Sequence, residues 1–184
     1  MDRLHRIFAG AGACAILLLA SCSTPPALST ASIPAIREID MSRYQGKWYE
    51  IARLPVPIGQ TWVNTSDNYT LNPDGSVAVV YEGFEGSPQG KRRTLKGRQW
   101  IPDPRVMGET LISFIPLVAN QNRIILLDPG YRYLVVTSHS KELLWVMSKT
   151  PRMEEADYRF ALEKAREWGF DVSKLEKVRQ EWSE

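Results

Sequence analysis

Few residues of this chain belong to the types on which catalytic and metal sites usually rely. The 184 residues include two cysteines, Cys14 and Cys22, and two histidines, of which only His139 lies beyond residue 22. Zinc sites built from several cysteines and histidine-based catalytic triads need more of these residues than the chain supplies after that point. We therefore expect no metal, no cofactor and no enzyme activity, and only Glu50 and Asp67 remain as candidates for acid–base chemistry.

Cys22 ends an N-terminal region that differs from the rest of the chain. Arg3 and Arg6 precede an uncharged, mostly apolar stretch of 14 residues, Ile7–Ala20. Such a stretch is too short for a comfortable permanent membrane span and is typical of a secretory signal. The run Leu19–Cys22 reads Leu-Ala-Ser-Cys and resembles a lipobox, so residues 1–21 are expected to be a lipoprotein signal peptide.

The lipobox resemblance implies that the Cys22 sulfur receives a diacylglyceryl group and that its amine is acylated after cleavage. Cys14 is the weaker candidate because Ala11 stands where an aliphatic residue is expected. The alternative is an ordinary signal peptide with a coincidental cysteine. Several acyl chains would hold the protein firmly to a bilayer. Ser23, rather than Asp, follows the cysteine, and the resemblance then implies the outer membrane, with the protein facing the periplasm.

The mature chain is nearly neutral. Removing residues 1–21 takes away Arg3, Arg6 and Asp2, which changes the net charge from +2 to +1. No strong basic field remains, so nucleic acid is not an expected partner. Residues 22–40 are rich in Ser, Thr, Ala and Pro and are expected to form a lipid-anchored flexible tether. The folded domain is then expected over residues 41–184.

Short runs rich in Val, Ile, Tyr and Trp recur between Gly46 and Lys149, and turn-forming residues separate them. The sequence Asn72–Gly75, Asn-Pro-Asp-Gly, is a strong hairpin turn, and Asn120–Asn122 is expected to be another. Eight strands follow from this pattern, at about 46–54, 62–71, 76–84, 91–101, 108–115, 122–127, 131–138 and 142–149. Sequential strands with short connections favour an all-β, up-and-down antiparallel barrel, which either is filled by side chains or holds one small ligand.

A helix is expected after the eighth strand. Thr150 is a plausible N-cap, Pro151 suits the first helical position and Gly169 suits the C-terminal stop. A stripe of apolar side chains at helical spacing is expected to pack on the outside of the barrel, and it comprises Met153, Ala156, Phe160, Ala161, Ala165 and Trp168. A further short strand is possible near residues 175–178.

Four motifs in order resemble the lipocalin family, and the first of them resembles its bacterial branch. Gly46–Arg53, Gly-Lys-Trp-Tyr-Glu-Ile-Ala-Arg, carries the family's Gly-x-Trp signature at the start of the first strand. Asp128–Tyr133 stands where the second motif lies, Leu144–Pro151 where the third lies, and Gly169–Lys174 follows the helix. The resemblance covers about residues 40–180 and implies an eight-stranded barrel with a C-terminal helix outside it.

The third motif departs from the family pattern because Lys149 stands where the family has arginine. The resemblance places this cation over Trp48 at the closed end, where it forms a cation–π contact without the planar stack of arginine. The other interpretation is a solvated strand end. Glu50 and Arg132 are also placed inward near this barrel floor, where we expect them to pair with each other or to reach water.

Strand alternation, phased on Trp48 and Lys149, predicts which side chains face inward. Ala52 joins Glu50 on the inner face, while Tyr49 and Ile51 face out. The same alternation places Trp145 and Met147 of the eighth strand inward. For the other strands the resemblance to the lipocalin family places Tyr69, Val79, Tyr81, Ile112, Phe114, Ile124, Leu134 and Val136 inside, and these ten residues line the predicted ligand-binding cavity. Two alternatives stay open, since these side chains could instead fill the barrel, and Asp67 could face either the cavity or solvent.

The connection Pro55–Trp62 between the first two strands is expected to lie across the open end, as it does in the family. Ile58 and Trp62 would then form an apolar rim. A proline-stiffened loop with a surface Trp is the alternative.

The expected function is binding of a lipid or fatty-acid ligand, with storage or transport of fatty acids, lysophospholipids or similar amphiphiles in the cell envelope. A role in membrane maintenance under stress would fit. Two rivals remain, an isomerase-like enzyme on the same scaffold and a structural lipoprotein with a filled barrel. The sequence makes no prediction of the oligomeric state.

Overall fold

The computed structural model describes residues 29–56 and 58–182. The predicted signal peptide, 1–21, and the predicted lipidation site, Cys22, lie outside the described residues. No helix in the described part of the chain is both long enough and apolar enough to cross a bilayer.

Eight antiparallel strands close into a barrel, which confirms the predicted fold class. Each strand pairs with the next along the chain, and β1 pairs with both β8 and β2 to complete the circle. The strands are β1 Gly46–Arg53, β2 Trp62–Leu71, β3 Val77–Glu85, β4 Arg92–Trp100, β5 Glu109–Ile115, β6 Val118–Leu127, β7 Tyr133–Ser138 and β8 Leu144–Ser148. A ninth strand, β9 Glu176–Lys177, pairs with β1, as the expectation near residues 175–178 allowed.

One of two predicted hairpin turns is present, and the other lies at a different place in the chain. At Asn72–Gly75 the expected turn is present, with Gly75 at φ 81° and Ser76 N–H bonded to the Asp74 carboxylate. The turn expected at Asn120–Asn122 is wrong, because those residues lie within β6. The chain reverses instead at Pro116 and Leu117, with Leu117 at φ 67°. Polar residues at the solvent-exposed end of a strand imitate a turn in sequence, whereas a two-residue connection leaves little signal.

The helix α2, Glu155–Glu167, packs on the outside of the barrel. It begins five residues after the expected N-cap Thr150, whose hydroxyl donates to the carbonyl of Arg152 in a separate turn. Its buried residues are Tyr158, Ala161 and Ala165, whereas Ala156 and Phe160 of the predicted stripe are exposed. The face that meets the barrel is thus centred on Tyr158, Ala161 and Ala165, with Met153, Leu162 and Trp168 packed against the same cluster. Gly169 ends the helix as expected, at φ 82° and with paired bonds from Gly169 and Phe170 N–H groups to the last turn.

The segment 29–40 is folded onto the barrel, which corrects the expectation of a flexible tether up to residue 40. Ser29 forms a bridge with Ser140, and Ile36 exchanges backbone hydrogen bonds with Ile124 and Gly108. Ile33 and Ile39 are buried. The segment ends in the short helix α1, Met41–Tyr44, which lies under the barrel. Ile33, Ile36 and Ile39 recur every third residue, a spacing that matches neither the period of two of a strand nor that of an α-helix, although each packs against the barrel.

A register shift in β1 inverts the side-chain alternation after Glu50. Glu50 pairs with Met147 and Ala52 with Val146, so that Ile51 is the extra residue. Ala52 therefore packs beneath α2 with Val146, and its predicted inward position is corrected. The C-terminal segment fills this irregular seam, because the Gln180 amide donates to the carbonyls of Glu50 and Thr65 at 2.8 and 2.9 Å.

Candidate ligand-binding site

One end of the barrel is closed by a floor, which we define as Tyr44, Trp48 and Lys149. Trp48 is completely buried, and its indole N–H donates to the Tyr44 carbonyl at 2.7 Å. The Lys149 ammonium lies 4.4 Å from the centroid of the Trp48 ring and donates to the carbonyls of Tyr44 and Gln45. The ammonium of Lys149 therefore has two roles. It lies on the indole face of Trp48, and it donates hydrogen bonds to carbonyls at the C-terminal end of α1, which lack a backbone N–H partner within the helix.

Burial lowers the pKa of Lys149 from its ordinary value of 10.5 to about 8. Desolvation of an ammonium disfavours the charged form, and here no carboxylate pairs with it to oppose that effect among the described residues. The floor therefore holds its cation through carbonyl dipoles and the indole ring alone.

Above the floor lies a cavity of about 440 Å³, which we call the cup. Seven of the ten residues predicted to line a cavity lie on its wall: Tyr69, Tyr81, Ile112, Phe114, Val136, Trp145 and Met147. The other three, Val79, Ile124 and Leu134, are fully buried around Trp48 beneath the cup. All ten side chains therefore point into the barrel. Their height above the floor decides which of them line the cavity and which pack around Trp48.

The mouth of the cup is formed by the β1–β2 and β7–β8 connections and by the outer end of β6. Val56 and Ile58 of the first connection line the cup, together with His139 and Glu142 of the second. Trp62 stacks against Tyr81, with ring centroids 5.5 Å apart, rather than projecting as a rim. Further wall and mouth residues that sequence reasoning did not identify are Leu95, Asn120, Gln121, Asn122, Ser138, Ser140 and Leu143.

A buried ion pair between Glu50 and Arg53 stands beside the cup. Both side chains are almost fully buried, and the Glu50 carboxylate also accepts from the Thr65 hydroxyl at 2.6 Å. The second amino group of Arg53 donates to the carbonyls of Gly59 and Gln60, which ties the mouth loop to the barrel. Arg53 was missed because residues three apart lie on opposite faces of a regular strand, and only the register shift in β1 brings them together.

Arg132 does not belong to the floor, which corrects its predicted position. Its exposed guanidinium binds Asp128 in the β6–β7 turn and Asp157 in the first turn of α2. The strand β7 begins only at Tyr133, so Arg132 lies in the preceding turn, where strand alternation does not apply. It joins the turn to the helix on the outside of the barrel and reaches water, and Arg53 is the partner of Glu50.

Asp67 lines the cup, which resolves the alternative between cavity and solvent. It lies opposite Trp48 of β1 and Tyr81 of β3. Burial raises the pKa of Asp67 well above its ordinary value, and the nearby Glu50 charge adds to the rise, while Tyr69 opposes it. Burial likewise raises the pKa values of the neighbouring phenols Tyr44, Tyr69 and Tyr81.

The arrangement suits binding more than bond-making chemistry. His139 stands exposed at the mouth, and no hydrogen bond joins it to a nucleophile within residues 29–56 and 58–182. Over those same ranges no three His, Cys, Asp or Glu side chains are grouped as metal ligands would be. Most of the wall surface is aromatic and aliphatic. Polar groups stand toward the floor, at Glu50 and Asp67, and around the mouth, and such a mixture is the usual composition of a small-molecule pocket.

Comparisons with known proteins agree with this architecture. The family model described as a lipocalin-like domain matches residues 39–180. Temperature-induced lipocalin-1 of Arabidopsis thaliana is 34% identical over 154 residues, 79% of this chain and 81% of the relative. The outer membrane lipoprotein Blc of Escherichia coli K12 is 28% identical over 178 residues, 97% of this chain and 98% of the relative.

Solved structures share the fold at low sequence identity. Insecticyanin of the tobacco hornworm Manduca sexta matches with a TM-score of 0.66 at 19% identity, over 83% of this chain and 85% of that one. Lobster apocrustacyanin A1 matches with a TM-score of 0.65 at 16% identity, over 78% of this chain and 81% of that one.

We expect Lys149→Ala to lower the melting temperature, because the carbonyls of Tyr44 and Gln45 lose their donor and Trp48 loses its cation. The loss should be about 1–3 kcal/mol of unfolding free energy. Lys149→Arg should match or exceed the wild type, since it retains the charge over the ring. Thermal denaturation measures both, and an unchanged melting curve for the alanine variant would show that Lys149 is merely solvated.

The lowered pKa of Lys149 adds a pH dependence to this comparison. Between pH 8 and 10.5 the unfolded chain holds the Lys149 proton while the folded protein releases it, so the stability contributed by this residue rises with pH across that window. Arginine does not titrate there. The melting temperature of the wild type minus that of Lys149→Arg should therefore increase with pH, and parallel curves would contradict the assignment.

We also expect Glu50→Gln and Arg53→Met each to cost about 3–5 kcal/mol, because each leaves a buried charge without its partner. The double variant should cost less than the sum of the two, as a double-mutant cycle from chemical denaturation can measure. Asp103→Asn, which breaks the exposed pair with Arg105, is the matched control and should change stability little. Additive losses at Glu50 and Arg53 would contradict a coupled pair.

Proposed function

The chain belongs to the lipocalin family, and from that premise we propose that it binds a lipid-like amphiphile in its cup, to store or transport fatty acids, lysophospholipids or similar molecules in the cell envelope. The observation that carries the proposal is the cup itself, an open-ended cavity of about 440 Å³ with aromatic and aliphatic walls. This volume falls within the roughly 300–1,000 Å³ of small-molecule sites.

The physics of such a cup favours an apolar chain as its occupant. Each Å² of apolar surface removed from water contributes roughly 25 cal/mol, less the cost of ordering the ligand. Trp145, Phe114 and Tyr69 stand on β8, β5 and β2, so a chain within the cup would contact rings from several sides. The cavity argues against the filled-barrel alternative, and nothing in the wall specifically favours the isomerase alternative.

We place the protein at the outer membrane, anchored through acylated Cys22 and facing the periplasm. The name of the bacterial relative, outer membrane lipoprotein Blc, supports this location. The described part of the chain begins at the mouth, where Ser29 pairs with Ser140, and Ser29 is seven residues after Cys22. Seven extended residues span at most about 25 Å, so the anchor would keep the mouth close to the lipid surface.

The exposed side chains at the mouth fit this orientation. Ile115, Leu117 and Val118 surround the β5–β6 turn, beyond the level of Phe114, and all three are more than half exposed. Exposed apolar clusters of this kind mark contacts with proteins or membranes. A ligand would then pass between bilayer and cup over a short distance. We propose that this exchange serves membrane maintenance under stress; the name of the plant relative, temperature-induced lipocalin-1, supports the connection with stress alone.

We expect Val136→Trp to abolish binding of a fluorescent fatty acid while leaving thermal stability nearly unchanged, because the new ring occupies empty space in the cup. Ala52→Trp is the matched control, since Ala52 is fully buried beneath α2 and not in the cup. Overpacking there should cost about 1–3 kcal/mol or more. Equal destabilisation by both variants, with no lipid binding by the wild type, would mean a filled barrel.

For the anchor, we expect Cys22→Ser to abolish incorporation of radioactive palmitate and to leave the protein uncleaved or released into the periplasm. Cys14→Ser should incorporate label at the wild-type level, because only Cys22 ends the Leu-Ala-Ser-Cys run. Undiminished labelling of the Cys22 variant would remove the basis for the membrane location.

A further inference from the structure

Asp67 is the acidic side chain of the cup wall that lies closest to the floor without an ion-pair partner. Its backbone lies directly opposite that of Trp48, the buried floor residue, while Glu142 and His139 mark the mouth at the other end. No ion pair joins Asp67 to a lysine or arginine within the described part of the chain. Its carboxylate therefore meets the space that a ligand would occupy.

The charged groups near Asp67 are already engaged elsewhere. Glu50 and Arg53 bind each other, and Arg53 uses its remaining donors on Thr65 and on the mouth loop. Lys149 lies against Trp48 and donates to carbonyls of the floor. Tyr69 is a hydrogen-bond partner of Asp67, and the carboxylate has further acceptor sites that face the cup. A buried acid without a counter-charge carries a cost, which a hydrogen-bond donor on a ligand would reduce.

We propose that Asp67 determines the specificity of the cup by accepting a hydrogen bond from a hydroxyl or ammonium group on the buried part of an amphiphile. The same residue excludes a carboxylate or phosphate from the base of the cup, since the Glu50 carboxylate stands nearby and no free cation among residues 29–56 and 58–182 compensates a further negative charge. This inference rests on the proposed lipid-binding function. It adds the class of polar group that the base accepts and the direction in which an anionic lipid enters.

The direction of entry follows from this charge distribution. A fatty acid or lysophospholipid enters with its apolar chain first and leaves its anionic head at the mouth, where Asn120, Gln121 and His139 offer polar groups. A long-chain alcohol or amine can bind the other way round, with its head against Asp67. Ligands with a donor at the buried end are therefore preferred over those with an acid there.

The groups facing Asp67 determine how this preference depends on pH. They are Glu50 and Arg53 of β1, Lys149 over Trp48, Tyr44 of α1, Tyr69 of β2 and Tyr81 of β3. The phenols stay neutral because burial raises their pKa values. Lys149 keeps its charge below its pKa of about 8, so below that pH the titration of Asp67, whose pKa is raised, changes the charge at the base of the cup. Ionisation of Asp67 with rising pH strengthens binding of an ammonium head and weakens binding of a carboxylate.

The test uses the purified full chain loaded with the neutral fluorescent probe N-phenyl-1-naphthylamine. Dodecylamine, dodecan-1-ol and dodecanoate, below their micelle concentrations, compete for the cup in the wild type and in Asp67→Asn. We expect the amine and the alcohol to compete better than the acid in the wild type. Asp67→Asn should weaken the amine relative to the acid by about tenfold or more, the scale of one hydrogen bond to a charged group, and should abolish the pH dependence.

Two further variants and a stability measurement sharpen the result. Asp67→Leu should lose the preference for the alcohol that Asp67→Asn retains, because the asparagine carbonyl still accepts a hydrogen bond. Asp103→Asn removes an acid from the exposed pair with Arg105, outside the cup lining, and should leave the ranking unchanged. Without ligand, Asp67→Asn should melt at a higher temperature than the wild type above the pH at which Asp67 ionises, since a raised carboxyl pKa makes ionisation destabilising.

The outcomes separate this inference from the function on which it rests. If the probe binds but Asp67→Asn leaves the ranking of the three heads unchanged, or if Asp103→Asn shifts it as much, Asp67 is not the selective residue and the lipid-binding cup stands. If neither the probe nor any alkyl compound binds the wild type, both proposals fail. A folded Asp67→Asn protein is verified by its cooperative melting.

Discussion

The register shift in β1 is the constraint on which much of the structure depends. One extra residue, Ile51, lets Glu50 and Arg53 face the same interior although they are three apart in sequence. The same shift turns Ala52 outward, where its small side chain allows α2 to pack against Val146 and Leu144. A regular strand would have placed Arg53 under the helix, where an unpaired guanidinium would have been costly.

The shift also determines how the chain ends. The backbone pairing between β1 and β2 ends at Tyr49 and Ser66, just before the shift. The strand β2 has an irregularity of its own at Asn64, which has φ 53°. The C-terminal segment satisfies the released backbone groups: the Gln180 amide donates to both strands, and Asn64 exchanges hydrogen bonds with Glu181. The end of the chain is thereby part of the barrel wall, since buried polar backbone groups must find partners.

The interior divides into a closed level and an open level. Around Trp48 the side chains of Val79, Ile124 and Leu134 fill the barrel, and Lys149 completes the floor. Above them the barrel is left partly empty, and Asp67, an acid without an ion-pair partner in the described part of the chain, lines the empty part. In the proposed function this open level selects the ligand, which is the arrangement expected when a site retains a group that folding alone would disfavour.

The sequence by itself determined the strand count, the closed end at Trp48 with its cation, and the set of inward-facing apolar residues, because alternation, turn residues and the family motifs are local properties. It could not reveal the partner of Glu50, the outward position of Ala52 or the external role of Arg132, because a single inserted residue or a later strand start changes the face of every side chain that depends on it. It likewise missed the packing of residues 29–40, whose isoleucines recur every third residue, a spacing that matches neither a strand nor an α-helix. Tertiary structure alone decided which inward residues meet a cavity and which fill the floor, since that depends on how all eight strands space their side chains at each level.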